Sequence, residues 1–480
     1  MSQESSVSQG AVFYLGSKLF TKCISFLLIP LWTLVFTPAE YGVIGNLAAW
    51  AGFLSPLVMM GLPNAALRIR SDCHDERQWA RFVSSVALVL TVASCFFLLV
   101  SCSVGSWIWG CVTSGSIPFW PLVPITLVAV ALGALSRLAL VVHQAEQKPL
   151  KVIAYEQALS TVVIVCTLIA VFLFDGGVIG YVSGGLVGVA LVSVFFAITL
   201  WQRRSEFSFE CTMVVNALKY GLPLIPQAVA AWTLNLSDRV MLERFSGLSE
   251  AGLYNLAANF GIVISMVAIS INQAVLPRYL QRAKGEFVDE NARSKTLHDT
   301  VIQGFVVLVV IFILTATAGP FILGLMVNER FFGALSLLVP ILGGCFFFGM
   351  GQFLLLPLLH QKRTKIVAAI TLTGAVVNVV LNLYLIPQYG AIAAAYTTLA
   401  SYMLTCLLAY LFARRSSWMG VSAFELLAMC GGAVLSLLVC LIFTDDNFSA
   451  LAIRFVFNGA LVSGFVLWLL KLYREGKALT

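Results

Sequence analysis

Basic side chains inside long apolar stretches are the residues of this sequence that could do chemistry. Lys18 and Lys22 are four residues apart in one apolar run, so a helix places both on one face. A lysine at the centre of a bilayer costs about 2.5–3.5 kcal/mol on insertion scales. Two on one face predict a wet or anionic surface opposite them.

Each of these cations also has a structural interpretation. Lys18 can snorkel to the membrane edge, whereas Lys22 lies nearer the middle of its run. Arg137 lies close to the end of another run and either snorkels or lines the same cavity. Lys219 begins a run and is expected to be an interfacial anchor.

Polar residues of the seventh predicted span are candidates for gating. Asp238 and Arg239 form an adjacent acid–base pair near the end of that span. The pair is either a local salt bridge or a gate or coupling site. Pro223 and Pro226 straddle one helical turn of the same span and predict a bending point.

Asn378 and Asn382 share one face of the eleventh predicted span. Amide side chains in that arrangement hydrogen-bond between helices more often than they contact a substrate. We predict hydrogen bonding between helices. Substrate contact is the alternative, and both asparagines are also candidates for gating or coupling.

The elements that position these residues are membrane helices. The chain is 60% hydrophobic and 11% charged, and its apolar runs are continuous rather than alternating. We therefore predict an all-α integral membrane protein with about 14 transmembrane helices. The predicted spans are 11–36, 42–62, 82–104, 119–142, 152–174, 177–200, 217–242, 251–276, 300–327, 334–359, 366–386, 390–413, 422–443 and 449–470.

Loop charge predicts the orientation. Of the 29 lysines and arginines, 21 fall in loops on one side, whereas the opposite side has only Arg239, Arg244, Arg330 and Arg454. The positive-inside rule places the 21, and with them both termini, in the cytoplasm. The net charge of +7 is thus explained by topology, and no nucleic-acid partner is expected.

Two sequence echoes indicate an internal duplication. The segment 147–154 matches 361–368, and Gly177 then falls where Gly390 falls; the segment 40–42 matches 250–252 at nearly the same spacing. The unit has six helices, an even number, so both copies enter the membrane in the same direction. We predict two pseudo-symmetric six-helix bundles, 1–205 and 206–415, followed by two extra helices and a cytoplasmic tail in 416–480.

Nothing in the sequence indicates an enzyme. Catalytic triads, intramembrane carboxylate pairs and glycine-rich phosphate loops are absent, and the 11 cysteines and 4 histidines form no metal-ligand pattern. No cofactor or metal is expected. Energy is predicted to come from an H⁺ or Na⁺ gradient, the membrane potential or downstream consumption of the product.

Three segments resemble the Wzx-type polysaccharide flippases of the multidrug/oligosaccharidyl-lipid/polysaccharide exporter superfamily: Pro30–Gly45, Tyr220–Tyr254 and Asn378–Ala395. The resemblance implies a carrier that moves undecaprenyl-pyrophosphate-linked oligosaccharide to the periplasmic leaflet of the bacterial inner membrane by alternating access. Polysaccharide polymerase, chain-length regulator and membrane lipid are the implied partners. The segment from Leu62 to Arg68 is similar to the end of the second helix in lipid II flippases, which adds Arg68 to the cavity cations.

Three alternatives stay open. A multidrug exporter of the same superfamily is expected to have acidic residues in mid-span, whereas mid-span charge here is positive. A lipid II flippase would use the same cations. A non-transporting scaffold of a glycan-assembly complex would have no use for intramembrane lysine.

Overall fold

The computed structural model describes residues 21, 23–73, 75–202, 209–284, 290–414, 422–442 and 448–477. All regular structure among these residues is helical, which confirms the all-α prediction. The helices are α1 (Ile29–Val35), α2 (Pro38–Met59), α3 (Leu62–Ile69), α4 (Glu76–Val112), α5 (Leu122–Ala145), α6 (Pro149–Phe172), α7 (Gly177–Gln202), α8 (Cys211–Gly221), α9 (Ile225–Ser246), α10 (Leu248–Lys284), α11 (Glu290–Met326), α12 (Leu335–Leu354), α13 (Leu356–His360), α14 (Thr364–Ala413), α15 (Ala423–Ile442) and α16 (Phe448–Lys477).

The membrane spans follow from helix length and composition. Eleven helices in the described part of the chain are long and apolar enough to cross a membrane. The remaining predicted spans have specific explanations. The first predicted span corresponds to the shorter apolar helix Cys23–Val35, and the seventh is divided between α8 and α9. The eleventh and twelfth predicted spans both lie in α14, where they are joined at Gly390. The chain is therefore a multi-pass membrane protein.

The longest predicted loop, 277–299, is mostly helical where it is described. The segment lies between the candidate spans Leu248–Asn272 and Val301–Met326, as predicted, but α10 continues to Lys284 and α11 begins at Glu290. The residues there include leucine, arginine, glutamine and lysine, which are good helix formers. Low apolar periodicity marks the end of the membrane crossing but not the end of the helix.

The chain divides into two compact units. Unit 1 comprises Met1–Ser25 and Val35–Gly252, and unit 2 comprises Phe26–Leu34 and Leu253–Thr480. A buried cluster in unit 1 packs α3 against α4, α5 and α8 around Phe82 and Leu138. In unit 2, Phe312 packs against Phe346 and Phe305 against Phe353. The predicted bundle boundaries at 205 and 415 derive from the repeat and stay a prediction.

The first sequence echo is a repeated helical hairpin. The turn before α6 has Gln147 at φ 54°, and the turn before α14 has Lys362 at φ 57°. In both, the next residue donates its backbone N–H to a carbonyl five residues earlier, which is the Schellman helix end. The structural match pairs Gln147 with Lys362, one residue away from the sequence match. Gly177 and Gly390 then share a positive φ, 52° and 61°, as the sequence match predicted.

The second echo is a close helix crossing within unit 1. Helix α2 begins at Pro38 and α10 at Leu248, which are equivalent positions of the repeat. A Cβ at Gly42 would lie 2.0 Å from the Leu248 carbonyl oxygen, and one at Gly252 would lie 1.9 Å from that of Pro38. The contact is reciprocal, so each glycine is required by its counterpart's helix.

Candidate functional site

Lys18 and Lys22 lie outside the described residues. The nearest described polar contact is that of Thr21, whose hydroxyl oxygen lies 3.1 Å from Nε2 of Gln157 on α6. The amide donates this hydrogen bond, which connects Thr21 to α6 within unit 1.

Arg68 lies on the solvent-accessible side of the short helix α3. Its neighbours Ala65, Ala66 and Ile69 are buried in the unit 1 core, which turns Arg68 outward. The guanidinium carbon lies 4.9 Å from the ring centroid of Tyr220 on α8. Stacking on an aromatic face holds a guanidinium in place while its N–H groups stay available to an anion.

Arg137 is exposed within the membrane helix α5. Its chain neighbours Ser136 and Leu138 are buried, and the Ser136 hydroxyl lies 2.6 Å from that of Ser193 on α7. This polar contact fixes the rotation of α5. A guanidinium exposed inside a membrane helix is costly in hydrocarbon, so Arg137 either extends to the membrane edge or faces a water-filled or anionic cavity. No contact between Arg68 and Arg137 occurs in the described residues.

Asp238 and Arg239 are buried in unit 1, at 1% and 6% exposure. The buried Asn46 side chain on α2 donates to the Arg239 backbone carbonyl at 3.1 Å, and an Arg239 guanidinium nitrogen donates to the Asn235 carbonyl at the same distance. The pair is thus part of a polar contact between α2 and α9, helices from the two copies of the repeat.

Sequence reasoning missed a second acid–base dipeptide five residues further along α9, Glu243-Arg244. One Glu243 carboxylate oxygen accepts hydrogen bonds from the hydroxyls of Ser114 and Ser116, the latter at 2.5 Å. Arg244 donates to the carbonyls of 111–112 at the end of α4. We call these contacts the α9 latch. The repetition of the acid–base dipeptide was the available signal.

Pro223 lies in a 3₁₀ turn, Leu222–Leu224, that separates α8 from α9, and Pro226 is the second residue of α9. Proline lacks the N–H that would continue the α-helical ladder. The predicted bending point therefore lies at a break in the helix.

Asn378 and Asn382 are fully buried in unit 2. The Asn382 amide nitrogen donates to the Asn378 side-chain oxygen at 3.1 Å, and Asn382 accepts a hydrogen bond from the Thr397 hydroxyl across the bend at Gly390. Both asparagines thus stabilise the packing between the two arms of α14.

The equivalents of Lys22 and Lys18 in the second copy are Trp232 and Ala228. The Trp232 indole N–H donates to the Ala49 carbonyl at 2.6 Å, and its ring packs on Phe53 with centroids 4.8 Å apart. An aromatic contact thus stands where the first copy has a lysine.

Residues 7–283, more than half of the chain, match the family model described as polysaccharide biosynthesis protein. The chain belongs to the polysaccharide biosynthesis protein family. This agrees with the resemblance read from the three sequence segments.

Solved structures of other proteins have a fold similar to that of this chain. A lipid II flippase, MurJ, in an inward closed conformation matches with a TM-score of 0.74 and 15% identity, over 97% of this chain and 99% of that one. An inward-facing multidrug resistance MATE family transporter of the MOP superfamily matches with a TM-score of 0.67 and 13% identity, over 82% and 94%. At these identities the likeness establishes the fold alone.

A curated relative is an uncharacterized membrane protein, MJ1068, of Methanocaldococcus jannaschii. It is 22% identical over 250 residues, which cover 50% of this chain and 49% of the relative. The match spans about half the length of each protein.

Proposed function

We propose that this polysaccharide biosynthesis protein is a flippase that moves undecaprenyl-pyrophosphate-linked oligosaccharide from the cytoplasmic to the periplasmic leaflet of the bacterial inner membrane. The observation that carries the proposal is the exposed guanidinium of Arg137 within α5. A cation in that position would attract a dense anion, and the attraction is stronger than in bulk water wherever the anion displaces water from beside the guanidinium. Pyrophosphate is such an anion.

The remaining cations of the site are Lys18, Lys22 and Arg68. All belong to the first copy of the repeat, whereas the second has Ala228 and Trp232 at the positions of Lys18 and Lys22. The cavity is therefore asymmetric in this proposal: the first bundle binds pyrophosphate, and the second supplies apolar surface and gating. A multidrug exporter for cationic compounds would need the opposite charge.

The α9 latch and the Asn46–Arg239 contact form the outer gate of the transporter in this proposal. They connect helices of the two repeat copies at the end of α9 that loop charge predicts to be outside. Pro223 and Pro226 supply the bend that lets α9 move. An H⁺ or Na⁺ gradient is the proposed energy source, and polymerase and chain-length regulator are the proposed partners.

The decisive experiment locates the lipid-linked oligosaccharide in a deletion strain complemented with variants. Deletion should leave the substrate in the cytoplasmic leaflet. Arg137→Ala should reproduce this defect at normal protein level, whereas Arg330→Ala, an exposed arginine in the 3₁₀ segment Glu329–Ala334, should transport normally. Normal export by Arg137→Ala would contradict the cationic cavity.

The lysines provide a graded version of the same test. Lys22→Ala should abolish export while the protein still inserts, since removing a cation predicted to lie within the membrane relieves a desolvation cost. Lys22→Arg should keep part of the activity, and Lys18→Ala should be milder. A loss fully explained by lower membrane protein level would overturn the assignment.

Crosslinking tests the gate. In a background without the eleven native cysteines, a short crosslinker between Ser114→Cys and Glu243→Cys should stop export, and reduction of a cleavable linker should restore it. Export that survives complete crosslinking would exclude movement at the latch. Export defects without any change in lipid leaflet distribution would instead favour a scaffold role.

A further inference from the structure

A buried arginine in unit 2 has side-chain atoms without a hydrogen-bond partner among the described residues. Arg454 on α16 is 4% exposed, and its Nε and Nη2 atoms have no hydrogen-bond partner among the described residues. An uncompensated buried charge is strongly destabilising. The guanidinium therefore requires an anion or water that the described residues do not supply.

Its surroundings are a polar cluster between three membrane helices. One turn along α16, the Asn458 amide nitrogen donates to the Thr317 hydroxyl on α11 at 2.7 Å and to the Cys440 sulfur on α15 at 3.6 Å. The Asn458 side-chain oxygen is buried and has no hydrogen-bond partner among the described residues. As an acceptor it would bind water rather than an anion.

Arg454 lies near one end of a membrane span. The part of α16 that is long and apolar enough to cross a membrane is Ser449–Trp468. Arg454 lies five residues after Ser449, or about 8 Å along the axis. A long arginine side chain at that depth can extend its guanidinium towards the headgroup layer.

The adjacent surface of α16 faces lipid. Phe455 is 50% exposed and Val456 74% exposed, and nothing lies within 4 Å of a Cβ built at Gly459. Apolar side chains next to a buried cation can contact the acyl chains of a lipid whose phosphate reaches the guanidinium. A planar guanidinium fork is well suited to bidentate phosphate binding.

We propose that Arg454 binds the phosphate of an anionic membrane lipid near the polar junction of α11, α15 and α16. The occupant is a lipid rather than free phosphate because Arg454 lies within side-chain reach of the headgroup layer and next to exposed apolar side chains of the same helix. The proposal is independent of the transported substrate.

The test uses the full-length protein purified in detergent and titrated with phosphatidylglycerol or phosphatidylcholine, with bound lipid counted by native mass spectrometry. Wild type should retain phosphatidylglycerol in preference to phosphatidylcholine. Arg454→Gln should lose that preference by about tenfold or more. Arg454→Lys should keep part of it, and Arg330→Gln should match wild type.

Three results would overturn the proposal. The first is equal retention of phosphatidylglycerol by wild type and Arg454→Gln. The second is thermal protection of wild type, but not Arg454→Gln, by inorganic phosphate with no retained lipid, which would assign the site to a free anion. The third concerns Asp445 and Asp446, which precede α16 in the sequence and lie outside the described residues. If their double substitution to asparagine destabilised the protein as much as Arg454→Gln, with lipid binding unchanged, the counterion would belong to the chain.

Discussion

The two copies of the helical hairpin hold their arms together by different means. In the first copy, α7 approaches α6 through Gly180, Gly184 and Gly188; a Cβ at Gly188 would lie 2.5 Å from the Val163 Cα atom. Counted from Gly177 and Gly390, the second copy has Ala393, Thr397 and Ser401 at the same three positions. There the arms of α14 are joined by the hydrogen bond from Thr397 to Asn382.

The partner positions differ in the same way. Val163 and Thr167 follow Gln147 by as many residues as Asn378 and Asn382 follow Lys362. Small residues let backbones approach closely in lipid, and polar side chains hydrogen-bond across a wider gap. One hairpin topology is thus compatible with either solution, and the two solutions should respond differently to substitution.

Gly188→Ala should give the largest effect. The added methyl group would meet the Val163 backbone, which cannot rotate away, so the arms must separate at a cost of about 3 kcal/mol. Gly185→Ala is the matched control, because its nearest contact is the Thr167 hydroxyl at 3.9 Å. The control should be neutral or stabilising by roughly 0.5–1 kcal/mol. Unfolding in mixed micelles measures both, and equal stabilities would show that the close approach contributes nothing.

Gly390→Ala should give the second-largest loss of stability. Gly390 has φ 61° and ψ −141°, a combination that a residue with a Cβ reaches only under strain, at about 2–3 kcal/mol. Gly177→Ala in the first copy should cost less, about 1–2 kcal/mol, since its φ of 52° is left-handed and no atom lies within 4 Å of the added carbon. Thermal unfolding measures the stability of the two variants. If Gly177→Ala were the more destabilising of the two, the backbone at Gly390 would not be the more strained bend.

Asn382→Leu should be milder than either glycine change. It removes the acceptor for Thr397, and interhelical hydrogen bonds in membrane proteins contribute about 0.6 kcal/mol on average and up to about 1.7. A double-mutant cycle with Thr397→Val isolates that contribution. The exposed Thr373→Ala on the same helix should have no effect. A coupling energy of zero would mean that packing alone joins the second pair of arms.

The hairpins and most membrane spans could be predicted because the bilayer restricts the chain so strongly. Lipid admits only helices here, and long apolar runs mark where they cross. The bend at Gly390 was visible as Pro387 to Gly390 between two apolar runs. The extension of α10 to Lys284 was not, because a helix that continues into water loses its hydropathy signal.

The candidate site was less predictable. Arg137 could be singled out because a charge in an apolar run is conspicuous. The bonds between Glu243 and Ser114 and Ser116 could not, since they join residues 129 and 127 positions apart in loops and helix ends without periodicity. Arg454 was assigned to an outer loop by its charge, whereas the structure buries it among three helices. Burial is a property of packing that hydropathy does not report.

Asn378→Val should have the smallest effect and is the sharpest test of the comparison, because valine is what the first copy has at the equivalent position, Val163. The Asn378 amide nitrogen is buried without a partner, so the wild type already bears a desolvation cost there. Valine removes that cost and also removes the oxygen that accepts from Asn382 at 3.1 Å. An unmade buried hydrogen bond costs about 1–3 kcal/mol and a made one contributes about 0.5–1.5, so the two changes should nearly cancel. We expect unfolding free energies within about 0.5 kcal/mol of wild type. If Asn378→Val were instead as destabilising as Asn382→Leu, the two asparagines would act as one network, and the difference between the hairpins would extend over the whole face of α14.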